Sequence, residues 1–214
     1  MQKKPSEWVS ISDLMSGVMA VVMLLLVISV LQSTYAEIKH KQELEGTQQS
    51  QQKKMMQTLK EIQSEVVTQG GNDLIDFNLD QGKITLKDSV FAQGSACVTP
   101  EAARAFTKIQ DKIESYLKET AQTGIFVEGH TDNIPVSQPV IDYRKFCTVY
   151  DDNYTLSAAR AREARKLLIG KLNEETAKRV VVAGYGDSQP LEGVAPESSA
   201  NRRVVVTFAS YAKL

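Results

Sequence analysis

The chain has 214 residues, a formal net charge of −1 and 42% hydrophobic residues. This balance lacks the basic excess that nucleic-acid binding requires, so no nucleic-acid partner is expected. The length allows a membrane-spanning segment and roughly one globular domain.

The first predicted element is a membrane-spanning helix over residues 11–32, preceded by a cytoplasmic N-terminus, residues 1–10. At about 1.5 Å per residue, the apolar run spans roughly 30 Å, which is the thickness of a bilayer's hydrocarbon core. Residues 14–31 carry no formal charge. The segment predicts a single-pass protein of the bacterial inner membrane, with its C-terminal domain in the periplasm.

A cleaved secretory signal is the alternative to a retained span. Lys3 and Lys4 precede the apolar run, and residues 34–36 loosely imitate a cleavage site. The apolar run exceeds the usual length of about 7–15 residues in a signal peptide, and it opens with Ser12 and Asp13. These features favour a retained helix.

Asp13 is the candidate ion-carrying residue of this helix, together with Ser16. At helical spacing these two residues share a narrow face with Gly17 and Ala20. Small residues let another helix approach closely, and a carboxyl buried there would have a raised pKa and could exchange a proton near neutral pH. Transport of H⁺ or Na⁺ is therefore the hypothesis, with no resident cofactor or metal. The alternative is that Asp13 only caps the helix at the membrane interface.

Residues 33–71 are predicted to form a periplasmic stalk or linker, because they are rich in Gln, Lys and Glu. Met55, Leu59, Ile62 and Val66 are spaced by four, three and four residues, which indicates a thin apolar seam on a helix that could pair with a second copy. Gly46 is expected to weaken this helix and residues 70–71 to end it. A flexible tether over residues 37–52 is the alternative.

Residues 72–214 read as one domain of strands and helices. Strands are predicted at residues 74–79, 83–86, 125–128, 179–183 and 204–208, and helices at 102–117 and 155–172. Thr99 and Pro100 form a helix start, with a capping residue followed by proline at the first position. The fold class is thus an N-terminal transmembrane helix, a helical stalk and an α/β domain, in which a sheet is covered by helices as an α+β sandwich.

Cys97 and Cys147 are the only cysteines, and both lie in this domain. In an exported domain they are expected to form a disulfide. Two buried, unrelated thiols are the alternative. Metal ligation is not predicted, because the paired spacing of cysteine ligands is missing.

Four ordered motifs in this domain resemble the C-terminal peptidoglycan-binding domain of the OmpA family. They are residues 127–132 (VEGHTD), 153–161 (NYTLSAARA), 184–190 (GYGDSQP) and 201–204 (NRRV). The resemblance covers approximately residues 74–208. It implies the OmpA-like fold and, as ligand, the diaminopimelate of the peptidoglycan peptide.

In that family an Asp and an Arg hold the diaminopimelate, and the motifs carry these roles to Asp132 and Arg160. A carboxylate for the ligand's ammonium and a guanidinium for its carboxylate make a complementary pair for a zwitterion. Asn153 and Arg202 are further candidates in the same cleft, although Arg202 could equally be a surface residue. The protein is not expected to be an enzyme, because His130 has no nucleophile beside it in its motif.

An insert at residues 133–152 is longer than many members of the family carry at this place. It contains Cys147, so a disulfide to Cys97 would pin it and reshape the wall-binding cleft.

Residues 12–20 (SDLMSGVMA) resemble the start of the transmembrane helix in the MotB and PomB stator subunits of flagellar motors. This resemblance implies a homodimer within a pentameric ring of MotA-like membrane subunits, with Asp13 as the ion carrier. The short linker and the cysteine-bearing insert most resemble ZorB, the MotB-like subunit that works with ZorA in Zorya anti-phage defence. A flagellar stator subunit and a passive tether between envelope and wall remain the alternatives.

Overall fold

The computed structural model of the chain describes residues 7–68, 73–120 and 123–210; the side chains at 7–10, 13, 40, 42–48, 108 and 210 are outside the description. Residues 1–6 of the predicted N-terminus, the predicted helix stop at 70–71 and the Asp13 side chain therefore lie outside the described part. The chain divides into two compact units, one up to residue 50 and one from residue 51 onward.

Helix α1 runs from Glu7 to Thr68, and Gly46 does not interrupt it. Within α1, the segment Leu14–Lys39 is long and apolar enough to cross a bilayer, with a mean hydropathy of 2.8, and none of it is buried. The predicted span at residues 11–32 overlaps this segment. Residues 37–52 are helical, whereas the sequence left a flexible tether as the alternative for this segment.

The apolar seam of α1 corrects the predicted domain boundary at residue 72. Leu59, Ile62 and Val66 are fully buried in the hydrophobic core of the second unit, and Met55 packs against that core. The seam that the sequence offered for pairing with a second copy thus packs within its own chain. Residues from 51 onward belong to the domain rather than to a linker.

A five-stranded mixed sheet forms the framework of the second unit, with strand order β1-β2-β5-β3-β4. The strands are β1 (Ile75–Asn78), β2 (Lys83–Lys87), β3 (Thr123–His130), β4 (Val180–Gly184) and β5 (Arg203–Ser210). Strands β3 and β4 are parallel, and the other neighbours are antiparallel.

The remaining helices are α2 (Pro100–Glu119), α3 (Tyr143–Phe146), α4 (Asn153–Leu168) and α5 (Glu174–Ala177). Thr99 caps α2 as predicted, because its side chain accepts a hydrogen bond from the Ala102 N–H. Apolar residues of α2, of α4 and of the seam in α1 meet the sheet in one hydrophobic cluster. The predicted fold class, an N-terminal apolar helix followed by a mixed α/β domain, is confirmed.

Candidate functional site

Three strand ends meet at one edge of the sheet. In the register, Arg203 of β5 pairs with Lys87 of β2 on one side and with His130 of β3 on the other. The charged residues just beyond these positions therefore become neighbours: Asp88 after β2, Asp132 after β3 and Arg202 before β5.

Helix α4 brings Arg160 to the same place. Asp152 caps the helix, since its Oδ1 accepts from the Thr155 N–H at 2.6 Å. The helix lies close against β3 and β4 because Gly129 and Gly184 have no side chains. A Cβ at Gly129 would overlap the backbone of Ser157, and one at Gly184 would lie 2.6 Å from the Ala158 Cβ.

Four charged side chains form a continuous network in this site. Arg160 donates through Nη1 to Asp88 Oδ1 at 3.0 Å, and Arg202 donates through Nε to Asp88 Oδ2 at 2.9 Å. Arg202 also donates through Nη1 to Asp132 Oδ2 at 2.6 Å. The order along the network is thus Arg160, Asp88, Arg202, Asp132, with two positive and two negative charges in alternation.

The two end members of the network are much more buried than the two middle ones. The side chains of Arg160 and Asp132 are 3% and 8% exposed, whereas those of Asp88 and Arg202 are each 31% exposed. Burial lowers the pKa of the Arg160 guanidinium, and Asp88 counteracts this shift. The hydrogen bond to Asp88 raises the pKa of Arg202. Both arginines remain cations at neutral pH.

The Arg160 guanidinium is held on further sides by one loop. Its Nε donates to the Ser95 carbonyl at 3.0 Å, and its Cζ lies 5.3 Å from the centre of the Phe91 ring, within cation–π distance. The loop after β2 therefore supplies a carboxylate, a carbonyl and an aromatic ring to a single guanidinium.

Asn153 lies beside the network, and its side chain bonds to backbone carbonyls and not to the charged groups. Its Nδ2 donates to the carbonyls of Asp132 at 3.1 Å and Ile134 at 3.0 Å. Asn153 thereby fixes the loop that carries the Asp132 carboxylate. In this structure its amide is a positioning group.

His130 is buried and stacks on Tyr185, with ring centroids 5.4 Å apart. Burial, with smaller contributions from Arg203 and Lys83, lowers its pKa to about 4. The ring is therefore neutral at physiological pH.

The insert at residues 133–152 packs against the loop that holds Arg160. Cys97 and Cys147 are joined by a disulfide, with their Cα atoms 5.0 Å apart. The Phe146 carbonyl accepts from Ser95 Oγ at 3.0 Å and from the Ala96 N–H at 3.1 Å. Because the Ser95 carbonyl in turn holds Arg160, the insert supports one wall of the site.

The remaining predicted site residues belong to the first unit. Asp13 and Ser16 lie three residues apart in α1, and Ser16 is exposed. The Asp13 side chain is outside the described atoms, so its role stays a prediction.

Sequence reasoning missed Asp88. The signal was a carboxylate two residues after the predicted strand 83–86, but its meaning depends on β5 pairing beside β2. No local pattern reveals that pairing.

Comparison with known proteins identifies the family of the domain. Residues 90–203 match the sequence profile of the OmpA family. No curated protein matches the chain significantly.

Among solved structures, a MotB-like protein from Desulfovibrio vulgaris is similar with a TM-score of 0.58 and 22% identity, over 77% of this chain and 99% of that chain. This likeness shows the shared fold.

Two further solved structures have lower TM-scores. The periplasmic domain of MotB from Helicobacter pylori gives a TM-score of 0.46 at 21% identity, over 60% of this chain and 75% of that chain. The cell wall anchor of the T6SS from Pseudomonas aeruginosa gives 0.48 at 25% identity, over 69% and 94%.

Proposed function

This chain belongs to the OmpA family, and from that premise we propose that it is a peptidoglycan-anchored, ion-conducting stator subunit of a membrane motor. The observation that carries the proposal is a combination within one chain. Asp13 lies directly before a bilayer-length apolar segment, and a separate domain holds a buried cation, Arg160, near a buried anion, Asp132.

The domain end of the proposal is recognition of the wall peptide. Diaminopimelate carries an ammonium and a carboxylate on the same carbon, and Asp132 and Arg160 offer one counter-charge for each. Charged hydrogen bonds in a largely buried site are strong and directional. Binding, not bond cleavage, is the chemistry that this arrangement supports.

The helix end of the proposal is ion transfer through Asp13. In the proposed assembly two copies of the chain thread a pentameric ring of MotA-like or ZorA-like subunits. Those subunits would shelter the carboxyl from lipid, where desolvation would favour uptake and release of a proton. We take H⁺ as the coupling ion, with Na⁺ as the alternative.

Within the stator class we propose the defence role of ZorB. The support is the short connection between the two ends of the chain. Residues 40–50 alone separate the bilayer-length segment from the unit that contains the sheet. This leaves little room for the longer periplasmic extension of flagellar stators.

The wall-binding part is tested by pull-down of the full chain with purified peptidoglycan sacculi. Asp132→Ala and Arg160→Ala should each weaken binding by about tenfold or more, since each leaves a charge of the ligand unpaired. Asp111→Ala is the matched control, because Asp111 is an exposed carboxylate that pairs with Lys171 on the surface. Undiminished binding by both site variants would remove these residues from the site.

Ion transfer is tested with Asp13→Asn, which keeps the side-chain shape but cannot cycle a proton. We expect normal membrane insertion and complete loss of the ion-driven activity. Glu37→Gln, at another acid of the same helix, should retain activity. Full activity of Asp13→Asn would leave only the anchoring role.

The defence role is tested with a strain that lacks the gene, assayed in parallel for phage sensitivity and for swimming. Increased phage sensitivity with normal swimming is the expected result. Lost swimming with unchanged phage resistance would instead assign the chain to a flagellar motor.

A further inference from the structure

Two charged side chains stand between the residues proposed to bind the ligand. Arg202 presents a cation to Asp132 at 2.6 Å, and Asp88 presents an anion to Arg160 at 3.0 Å. A zwitterion bound between Asp132 and Arg160 would present its ammonium and its carboxylate in the same order. The Asp88–Arg202 pair thus copies the charge arrangement of the proposed ligand.

The difference in burial indicates which members can be displaced. Asp88 and Arg202 are about one-third exposed, whereas Arg160 and Asp132 are nearly enclosed. Asp88 lies in a short 3-10 turn, Asp88–Val90, and Arg202 directly follows another, Ser199–Asn201. The Asp88–Arg202 pair can therefore swing toward solvent while Arg160 and Asp132 stay fixed.

We propose that Asp88, paired with Arg202, is a built-in competitor that occupies the wall-peptide site and sets its affinity and selectivity. The inference rests on the proposed wall-binding function and adds a residue that the family motifs do not contain. Asp88 acts on the ligand by holding the Arg160 guanidinium that the ligand's carboxylate must take over.

The exchange conserves the number of ion pairs. The ligand's ammonium replaces Arg202 at Asp132, and its carboxylate replaces Asp88 at Arg160. The displaced residues keep each other as partners, because Arg202 Nε and Nη2 both bond Asp88 Oδ2 at 2.9 Å. No buried charge is left without a counter-ion at the end of the exchange.

The exchange predicts selectivity for ligands that carry both an ammonium and a carboxylate. A ligand that carries only an ammonium could displace Arg202 from Asp132 but would leave Asp88 on Arg160, so Asp88 and Arg202 could not leave together. A ligand that carries only a carboxylate could displace Asp88 from Arg160 but would leave Arg202 on Asp132. A group that bears both charges displaces Asp88 and Arg202 together and is therefore favoured.

The test compares the full chain with its Asp88→Asn variant, in detergent, for binding to purified sacculi and to meso-diaminopimelate. Asn keeps the shape but removes the competing charge, so a larger fraction of the free protein is ready to bind. We expect Asp88→Asn to bind about fivefold or more tightly than the unsubstituted chain. Asp111→Asn, at the exposed carboxylate used above as a control, should bind like the unsubstituted chain.

Thermal melting provides a readout that a merely structural residue would not produce. Without ligand, Asp88→Asn should melt at a lower temperature, because Arg160 has lost a counter-ion. Meso-diaminopimelate should raise this melting temperature by more than it raises that of the unsubstituted chain. If the variant is unfolded alone, the ligand should restore cooperative melting, and failure to do so counts against the proposal.

The outcomes separate this inference from the proposed function. Equal or weaker binding by Asp88→Asn, while the unsubstituted chain binds and Arg160→Ala does not, would make Asp88 a positioning residue and overturn the competitor. Failure of the unsubstituted chain to bind sacculi at all would overturn the wall-binding function and the competitor with it.

Discussion

Helix α1 has two apolar stretches that differ in what surrounds them. Side chains of residues 14–31 are exposed all around the helix, whereas Leu59, Ile62 and Val66 are buried in the unit that begins at residue 51. An apolar surface on every side of a helix suits lipid, and a narrow stripe suits a protein core. The first stretch therefore suits a lipid environment, and the second is stabilised by contacts within its own chain.

This comparison predicts that substitutions of buried residues after residue 51 change the free energy of unfolding, whereas equivalent substitutions in the first stretch do not. The largest effect is expected at the disulfide, which belongs wholly to the second unit. In the double variant C97S/C147S the free energy of unfolding should fall by about 4 kcal/mol. The chain-entropy model gives this value because the crosslink joins residues 50 apart in sequence.

Denaturant unfolding of the full chain in detergent, followed by the signal of the domain, measures this loss. Reduction of the unsubstituted chain should shift the midpoint in the same direction. A midpoint that neither treatment changes would show that the insert is held by its hydrogen bonds alone.

A matched pair of alanine substitutions tests the comparison directly. Ile62→Ala should lower the free energy of unfolding of the domain by about 3 kcal/mol, because it leaves a cavity in a filled core. Leu24→Ala removes a similar side chain from the exposed stretch and should leave the domain's unfolding midpoint unchanged. Equal effects of the two changes would contradict the distinction between the stretches.

The buried His130 predicts a pH dependence of stability in the second unit. Its pKa is about 4 in the folded chain, below the ordinary value of 6.5, so the unfolded chain binds the proton more readily. Stability from this group is complete above pH 6.5 and falls as the pH decreases, by roughly 2.5 kcal/mol between pH 7 and pH 4.5.

The measurement is the unfolding midpoint of the unsubstituted chain minus that of His130→Gln, over the same pH range. Carboxylates that titrate in this range contribute to both proteins and cancel in the difference. A difference that does not vary with pH would rule out His130 as the source.

The smallest effect is expected for the ion pair between Glu61 of α1 and Lys112 of α2, whose atoms are 2.7 Å apart. Both side chains are well exposed, and such pairs contribute little in solution. Glu61→Gln should leave the unfolding midpoint within experimental error at physiological salt. A clear loss would mean that the polar edge of α1, and not its apolar seam, holds the helix to the domain.

The parts of the fold that local signals specify were predictable. Thr99 and Pro100 marked the start of α2, and short runs rich in apolar and β-branched residues marked the strands. The seam in α1 was also visible as a pattern of spacing. The element that covers the seam could not be predicted, because periodicity shows that a face is buried but not which element buries it.

The same limit applies to the site. Motif residues placed Asp132 and Arg160, but the Asp88–Arg202 pair between them arises from the pairing of β5 with β2 and β3. That pairing brings Asp88 and Arg202, which are 114 positions apart in the chain, into contact. Long-range register of this kind leaves no local trace in the sequence.

The close packing at Gly129 and Gly184 has a mechanical consequence for an anchor. Tension applied to a ligand on Arg160 passes into helix α4 and from there into β3 and β4 where the backbones touch. A backbone contact deforms less under tension than a layer of long side chains, so most of the force is transmitted to the sheet. A Cβ at either glycine would push α4 away from the sheet and remove this direct contact.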